Sequence, residues 1–155
     1  MFFYPSIFIR ILLYFRLPDT CSFEQAALAE PLSVLLHASR RADLSAGQTI
    51  LVFGVGTIGL LACALAKSQG VSKVVAIDIN QTRLDFAKAN GFASQVFCLP
   101  SVDMAKTTDE QLRRSKENIQ IALAEFSEPD GFDLVFECTG AEPCIQMSVH
   151  VSIPS

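Results

Sequence analysis

Apolar and polar positions along this chain change period several times, and each change marks an element. Thr49-Ile50-Leu51-Val52-Phe53 and Lys73–Asp78 are short, nearly continuous apolar runs, the pattern of strands buried on both faces of a parallel sheet. Gln95–Leu99 and Phe132–Phe136 read as two more strands. Between them, apolar residues recur at helical spacing. Ile58, Leu61, Ala62, Leu65 and Ala66 do so within Thr57–Gln69, which Gly70 stops, and Asn80 caps a helix running to Asn90 and ended by Gly91. After Pro100, Thr107 and Thr108 each begin a capping box with Glu110 and Gln111 as partners. The helix that follows puts Leu112, Ile119, Leu123 and Phe126 on one stripe; Glu128–Gly131 is a turn, and Pro143 opens a final short helix. Upstream, Asp19–Ala42 reads as a broken helix. Ser22 is its N-cap, Pro31 ends one piece or opens the next, and Leu32, Leu35, Leu36 and Ser39 share a face. Strands alternating with helices predict an α/β fold whose parallel sheet is joined by right-handed crossovers.

The first 17 residues stand apart. They hold thirteen apolar residues, both tyrosines among them, interrupted by Pro5, Ser6, Arg10 and Arg16. The composition of the remainder is ordinary for a globular domain. A spanning helix needs about 20 apolar residues, and the two arginines break the run. A signal peptide places its charge first and small residues at the cleavage site, and neither feature is present. Ile7, Ile9, Ile11, Leu13 and Phe15 alternate, so the segment also suits a strand. Its role stays open between leader, anchor, strand and foreign extension, with a membrane role disfavoured. A net charge of −4 without a basic run argues against a nucleic-acid platform. The high apolar content argues against disorder. Cys21, Cys63, Cys98, Cys138 and Cys144 are an odd number without a CxxC pair, so neither a zinc-finger nor a disulfide framework is signalled. Reduced, mostly buried thiols in a cytoplasmic protein are the expectation.

Chemistry concentrates at Gly54-Val55-Gly56-Thr57-Ile58-Gly59. A GxGxxG alone is weak, but this one follows a buried strand, opens a helix, and precedes Asp78 at the end of the next strand. Gly54 permits the tight turn, Gly56 lets backbone approach a pyrophosphate, and Gly59 lets helix and strand pack closely. The phosphates would rest on the free N–H groups of the helix start, Thr57 and Ile58 included. Asp78 is placed to accept hydrogen bonds from an adenosine ribose, and its charge favours NAD over NADP. Arg83, five residues on, is expected to flank the adenine or pair with Asp78. An S-adenosylmethionine methyltransferase would more often carry an acidic residue before the first glycine, where this chain has Phe53.

Residues 17–149 resemble the medium-chain zinc-dependent dehydrogenases, and within them the sorbitol and xylitol dehydrogenases. The segments that carry the resemblance are AEPLSV followed by HA, ILVFGVGTIGLLACALAKSQG, KVVAIDINQTRLDFAK and FDLVFECTGAEPCIQMSVHV. It implies a Rossmann-type doubly wound sheet, NAD as cofactor, and oxidation of a polyol's secondary alcohol by hydride transfer with a zinc ion polarising the alcohol. Ile58, Asp78 and Arg83 fall on the family's cofactor contacts. Glu30 falls on its acidic position at the catalytic zinc, although a carboxylate in a first helical turn is also explained by the helix dipole. Cys138, Thr139 and Gly140 end the fourth strand, at the edge where α/β proteins bind ligands, and are expected to line the adenosine side. His37, on the same helix as Glu30, is expected to be structural.

Departures from the family qualify this. Its catalytic domain, with a zinc-binding cysteine and a His-Glu pair, would precede this segment, and two more strands would follow. The chain is therefore expected to hold an apolar leader (1–17), a helical connector (18–47) and a partial dinucleotide-binding domain (48–155). Its sheet should have about four strands in the order 3-2-1-4 and an open fourth-strand edge suited to self-association. No catalytic residue set is complete. The chain alone should bind NAD but neither zinc nor a polyol, both of which require a complete enzyme. The alternative is a non-enzymatic NAD-binding or partner-pairing module.

Overall fold

A computed structural model of the chain describes residues 16–100 and 107–151. The alternating residues Ile7 to Phe15, and with them most of the expected leader, lie outside the described residues. The chain divides after Glu30 into two compact units, Met1–Glu30 and Pro31–Ser155. In the first, α1 (Phe23–Ala27) begins at the expected cap, where Ser22 accepts from the Gln25 N–H and the Gln25 side chain accepts from the Ser22 N–H. The helix breaks at Leu28, and α2 (Ala29–Arg41) starts next. Pro31 thus falls in a first turn, where its missing N–H is not needed.

The larger unit is built on four parallel strands, β1 (Thr49–Phe53), β2 (Lys73–Asp78), β3 (Gln95–Cys98) and β4 (Leu134–Glu137). Their order is β3-β2-β1-β4, the partial doubly wound sheet that the strand pattern predicts. The crossovers are α3 (Thr57–Ser68), α4 (Gln81–Ala89) and α5 (Thr108–Phe126); α6 (Glu142–Val149) follows β4. The period-2 alternation of β1 and β2 sorts their side chains onto two faces. Ile50, Val52, Val74 and Ala76 pack with Ala62, Cys63 and Ala66 of α3, Leu84 and Ala87 of α4, and Leu35 of α2. Leu51, Phe53, Val75 and Ile77 pack with Ile119, Ala122, Leu123 and Phe126 of α5 and Met147 of α6. Ile50 through Phe53 are wholly buried, each contributing about 1.5–3 kcal/mol by removal from water.

Several sequence expectations shift by a residue or a face. The inward side of α3 is Gly59, Ala62, Cys63 and Ala66, whereas Ile58 is 38% exposed. Small residues let this helix lie close to the sheet, so the larger apolar ones are displaced to its flanks. On α5, Leu112 is 45% exposed and Ser115 takes the inward position. The Ser115 hydroxyl is tolerated there because it donates to Gln146 Oε1 of α6. Thr107 caps α5 by accepting from the Glu110 N–H, and Thr108 is the first helical residue. β3 stops at Cys98 and β4 starts at Leu134. Phe132 precedes β4 and is a core residue, its N–H donating to the Val151 carbonyl and its ring edge-on to Phe126. Of the five thiols, Cys63 and Cys144 are buried and the other three are half-buried.

The amino ends of the strands are closed by charge-assisted bonds. Asp133 Oδ2 accepts from both the N–H and the hydroxyl of Thr49, and the Asp133 N–H donates to Thr49 Oγ1. Lys73 Nζ donates to the Phe126 carbonyl at 2.6 Å and to Glu128 at 3.0 Å. A cation is thereby placed where α5 ends in the left-handed Ser127, and the helix dipole favours it there.

Candidate functional site

At the carboxyl ends of the strands the chain leaves β1 through Gly54, whose φ of +84° belongs to the left-handed region that glycine tolerates. The Gly54 N–H donates to the Ile77 carbonyl of β2 at 2.7 Å. A Cβ on Gly59 would stand 1.7 Å from the Gly54 carbonyl oxygen, so helix α3 and the turn touch backbone to backbone. Gly56 differs from both. Its φ of −72° suits any residue, and a Cβ there would meet nothing within 4 Å. Among the described residues nothing requires glycine at this position. Gly56 is the N-cap of α3 but lends no side-chain cap, so the first turn at Thr57, Ile58 and Gly59 presents its N–H groups uncapped. Open space over a positive helix end is what an approaching phosphate needs.

Asp78 ends β2 and is 7% exposed. Its Oδ2 accepts from the Val55 N–H inside the glycine turn at 2.7 Å, and its Oδ1 accepts from the Asn80 N–H at 2.8 Å. One carboxylate therefore ties the turn after β1 to the turn after β2. Each oxygen keeps a further lone pair for an incoming hydroxyl. Asn80 in turn caps α4 by accepting from the Arg83 N–H. Arg83 itself is exposed, and among the described residues no ion pair joins it to Asp78. Between them Ile79 is 76% exposed beside the buried carboxylate, an apolar surface that the glycine motif does not point to.

The third side of the turn comes from β4. The Cys138 N–H donates to the Phe53 carbonyl, after which the chain bends sharply, with Gly140 at φ +67°. Glu137 holds this bend. Its Oε1 accepts from both the N–H and the hydroxyl of Thr139, and its Oε2 accepts from the Gly140 N–H. The Thr139 methyl lies 2.7 Å from where a Gly54 Cβ would be. Cys138 and Cys63 lie beneath. Burial, with Glu137 adjacent, pushes the Cys138 thiol up from 9.0 to about 11, and burial with Cys138 nearby pushes Cys63 up to about 12. Both are neutral thiols at physiological pH and pack as small, largely apolar side chains.

The structure thus brings Gly54, Gly56, Thr57, Ile58, Gly59, Asp78, Cys138, Thr139 and Gly140 to one edge, with Arg83 on the adjoining helix start. Glu30 belongs to the smaller unit, in the first turn of α2, and His37 is exposed on that helix. Among the described residues no three His, Cys, Asp or Glu side chains gather in a way that could hold a metal ion. No described helix is long and apolar enough to cross a membrane.

The sequence profile of zinc-binding dehydrogenases matches residues 57–154, more than half of the chain. The chain belongs to the zinc-binding dehydrogenase family. Among family relatives, D-xylulose reductase A of Aspergillus niger is 36% identical over 137 residues, which are 88% of this chain and 35% of that protein. The crystal structure of galactitol-1-phosphate dehydrogenase from Escherichia coli superposes with a TM-score of 0.67 at 31% identity, over 90% of this chain and 36% of that one. A zinc-binding dehydrogenase of Sinorhizobium meliloti solved with NADP bound shares the fold, with a TM-score of 0.71 at 24% identity over 89% of this chain and 36% of that one. The chain spans about a third of the length of these relatives. Within zinc-binding dehydrogenases, an oxidoreductase family, it covers the four-stranded Rossmann-like region.

Proposed function

We propose that this chain carries the NAD-binding part of a polyol dehydrogenase, within residues 48–155, joined to the rest through the connector 18–47. The observation that carries the reading is Asp78. Its buried carboxylate sits at the end of β2 and holds the glycine turn beside the uncapped start of α3. On this reading the N–H groups of Thr57, Ile58 and Gly59 receive the pyrophosphate, and Gly56 leaves room for it. Asp78 accepts from the ribose hydroxyls and repels a 2′-phosphate. Ile79 and Ile58 supply apolar contact, Arg83 flanks the base, and Cys138, Thr139 and Gly140 wall the far side. Bound NAD supplies the hydride acceptor.

The names of the relatives, a D-xylulose reductase and a galactitol-1-phosphate dehydrogenase, support a polyol or its ketone as the substrate of the complete enzyme. Zinc chemistry belongs to that complete enzyme, where Glu30 would stand at or near the metal; the donor set described here does not suffice for it. The chain alone binds NAD without turning polyols over. Five cysteines without a disulfide support a cytoplasmic location.

Titration of the 155-residue chain with NADH and NADPH, followed by nicotinamide fluorescence, tests the cofactor. NADH should bind about tenfold or more tightly than NADPH, given one carboxylate against a 2′-phosphate. Equal or tighter NADPH binding overturns the preference, and binding of neither overturns the reading. Zinc-dependent oxidation of sorbitol by the chain would overturn its assignment as inactive alone. A second reading, a module that pairs through its sheet, is favoured by the position of β4, which has β1 on one side and no strand on the other among the described residues. Sedimentation of the chain as a monomer at micromolar concentration would refute it.

A further inference from the structure

The bend after β4 offers few free groups to a ligand. The N–H and hydroxyl hydrogen of Thr139 and the N–H of Gly140 all point to Glu137. The Thr139 oxygen also accepts from the Ala141 N–H at 2.9 Å. A threonine whose donors are already committed serves the site through its position. That position is against Gly54: the Thr139 methyl is 2.7 Å from the point a Gly54 Cβ would occupy, and the Cys138 carbonyl carbon and oxygen are 3.4 Å from it. Gly54 is enclosed by Ile77 of β2 through its N–H, by Gly59 of α3 against its oxygen, and by Thr139 against its Cα. The first two contacts are backbone to backbone. The third is set by a side chain.

We propose that Glu137 is a positioning residue of the nucleotide site: by gathering Thr139 and Gly140 it seats the Thr139 methyl on Gly54 and fixes the turn that offers the α3 N–H groups to a pyrophosphate. This rests on the dinucleotide reading given above. In this proposal Glu137 is assigned no contact to phosphate or ribose. It acts through Thr139, and Asp78 acts on the same turn from β2 through the Val55 N–H. The glycine turn is thus held between two carboxylates on the strands flanking β1, one serving the ligand directly and one serving only the turn.

The test compares the unaltered 155-residue chain with Glu137→Gln and Thr139→Val, using NADH, ADP and adenosine as probes. NMR shifts follow the weaker ligands. In Glu137→Gln an amide NH₂ replaces one acceptor oxygen and faces a donor, while Thr139→Val keeps the methyl and removes the hydroxyl. Each should weaken NADH and ADP about tenfold, as expected for loss of a charge-assisted bond. Adenosine, which lacks phosphates, should weaken clearly less than ADP in each variant. Combining the two changes should cost little more than either alone, because both break one linkage. Equal weakening of adenosine and ADP would show general loosening and overturn the proposal, as would unchanged ADP binding in both variants. Should Glu137→Gln fail to fold, Thr139→Val decides by the same ADP-to-adenosine ratio. Failure of the unaltered chain to bind NADH or ADP would overturn the dinucleotide reading itself, and this proposal with it.

Discussion

The two ends of the sheet use the same kind of bond for different ends. At the amino ends, Asp133 and Thr49 satisfy each other, and Lys73 closes on the Phe126 carbonyl and Glu128. At the carboxyl ends, Asp78 and Glu137 also bond backbone N–H groups. There, however, the start of α3 stays uncapped, Gly56 faces open space, and Ile79 and Ile58 stand partly in solvent. A fold that leaves helix N–H groups and apolar surface open beside a buried carboxylate is shaped for a ligand. At the amino edge the charged groups pair with one another, although the side-chain oxygens of Gln69 and Gln95 are buried there without a partner among the described residues, and such pairing serves stability. Substitutions at the two edges should therefore separate folding from binding.

The largest effect is expected at Gly59. Its Cβ would stand 1.7 Å from the Gly54 oxygen, and both partners are backbone, so neither can step aside as a side chain would. Gly59→Ala should lower stability by about 3 kcal/mol or more, measured by urea unfolding, and remove NADH binding together with the fold. A variant that melts normally would show that α3 can shift away from the sheet, and that the turn is less rigid than its contacts imply.

Next in size is a dependence on alkaline pH. The folded state holds Cys63 and Cys138 as neutral thiols up to about 12 and 11, against 9.0 for an unperturbed thiol. Above pH 9 the unfolded chain releases these protons first and binds fewer than the folded one. Stability is therefore fully present below pH 9 and declines as pH rises through the folded values. The slope should reach about 1.4 kcal/mol per pH unit for each thiol. Cys63→Ala should flatten the curve between pH 9 and 12. An unchanged slope would place its origin elsewhere.

Much of this was legible in the chain. Strands β1 and β2 announce themselves as runs that only double-sided burial explains, and Ser22, Asn80 and Thr107 mark helix starts because each accepts from the N–H three residues on. The glycine turn and Asp78 were equally plain, since their spacing is tied to a known geometry. Glu137 was hidden. Its role depends on where Thr139 lands against Gly54, a contact across 85 positions that no local pattern encodes. The only local hint is a carboxylate just before a Cys-Thr-Gly bend. Ile58 and Leu112 went astray for a related reason: apolar spacing identifies a helix but not which of its apolar residues the sheet admits. On α3 the sheet admits the small ones, and on α5 it admits a serine that α6 satisfies.

A smaller effect is expected at the amino edge. Lys73 is about three-quarters buried and pairs with Glu128 while capping α5. Lys73→Met keeps the apolar stem and removes the charge, so stability should fall by about 1–2 kcal/mol with NADH affinity unchanged. Loss of affinity in a variant that remains folded at the assay temperature would mean that the two edges are coupled through β2, and would break the separation drawn above.

The smallest effect on stability, and the sharpest contrast, belongs to Gly56. Its backbone already lies where alanine is comfortable, and its Cβ would meet nothing within 4 Å. By stability alone Gly56→Ala should be neutral or favourable by a few tenths of a kcal/mol, since alanine restricts the unfolded chain. Among the described residues nothing accounts for glycine at this position, which leaves a ligand as the explanation to test. If that is a pyrophosphate, the added methyl occupies the approach to the α3 N–H groups, and NADH affinity should fall about tenfold or more. Urea unfolding and NADH titration of the same preparation read both quantities. A variant that gains stability while losing NADH identifies the open space over Gly56 as a ligand's place, whereas one that binds NADH normally would move the phosphates away from this turn.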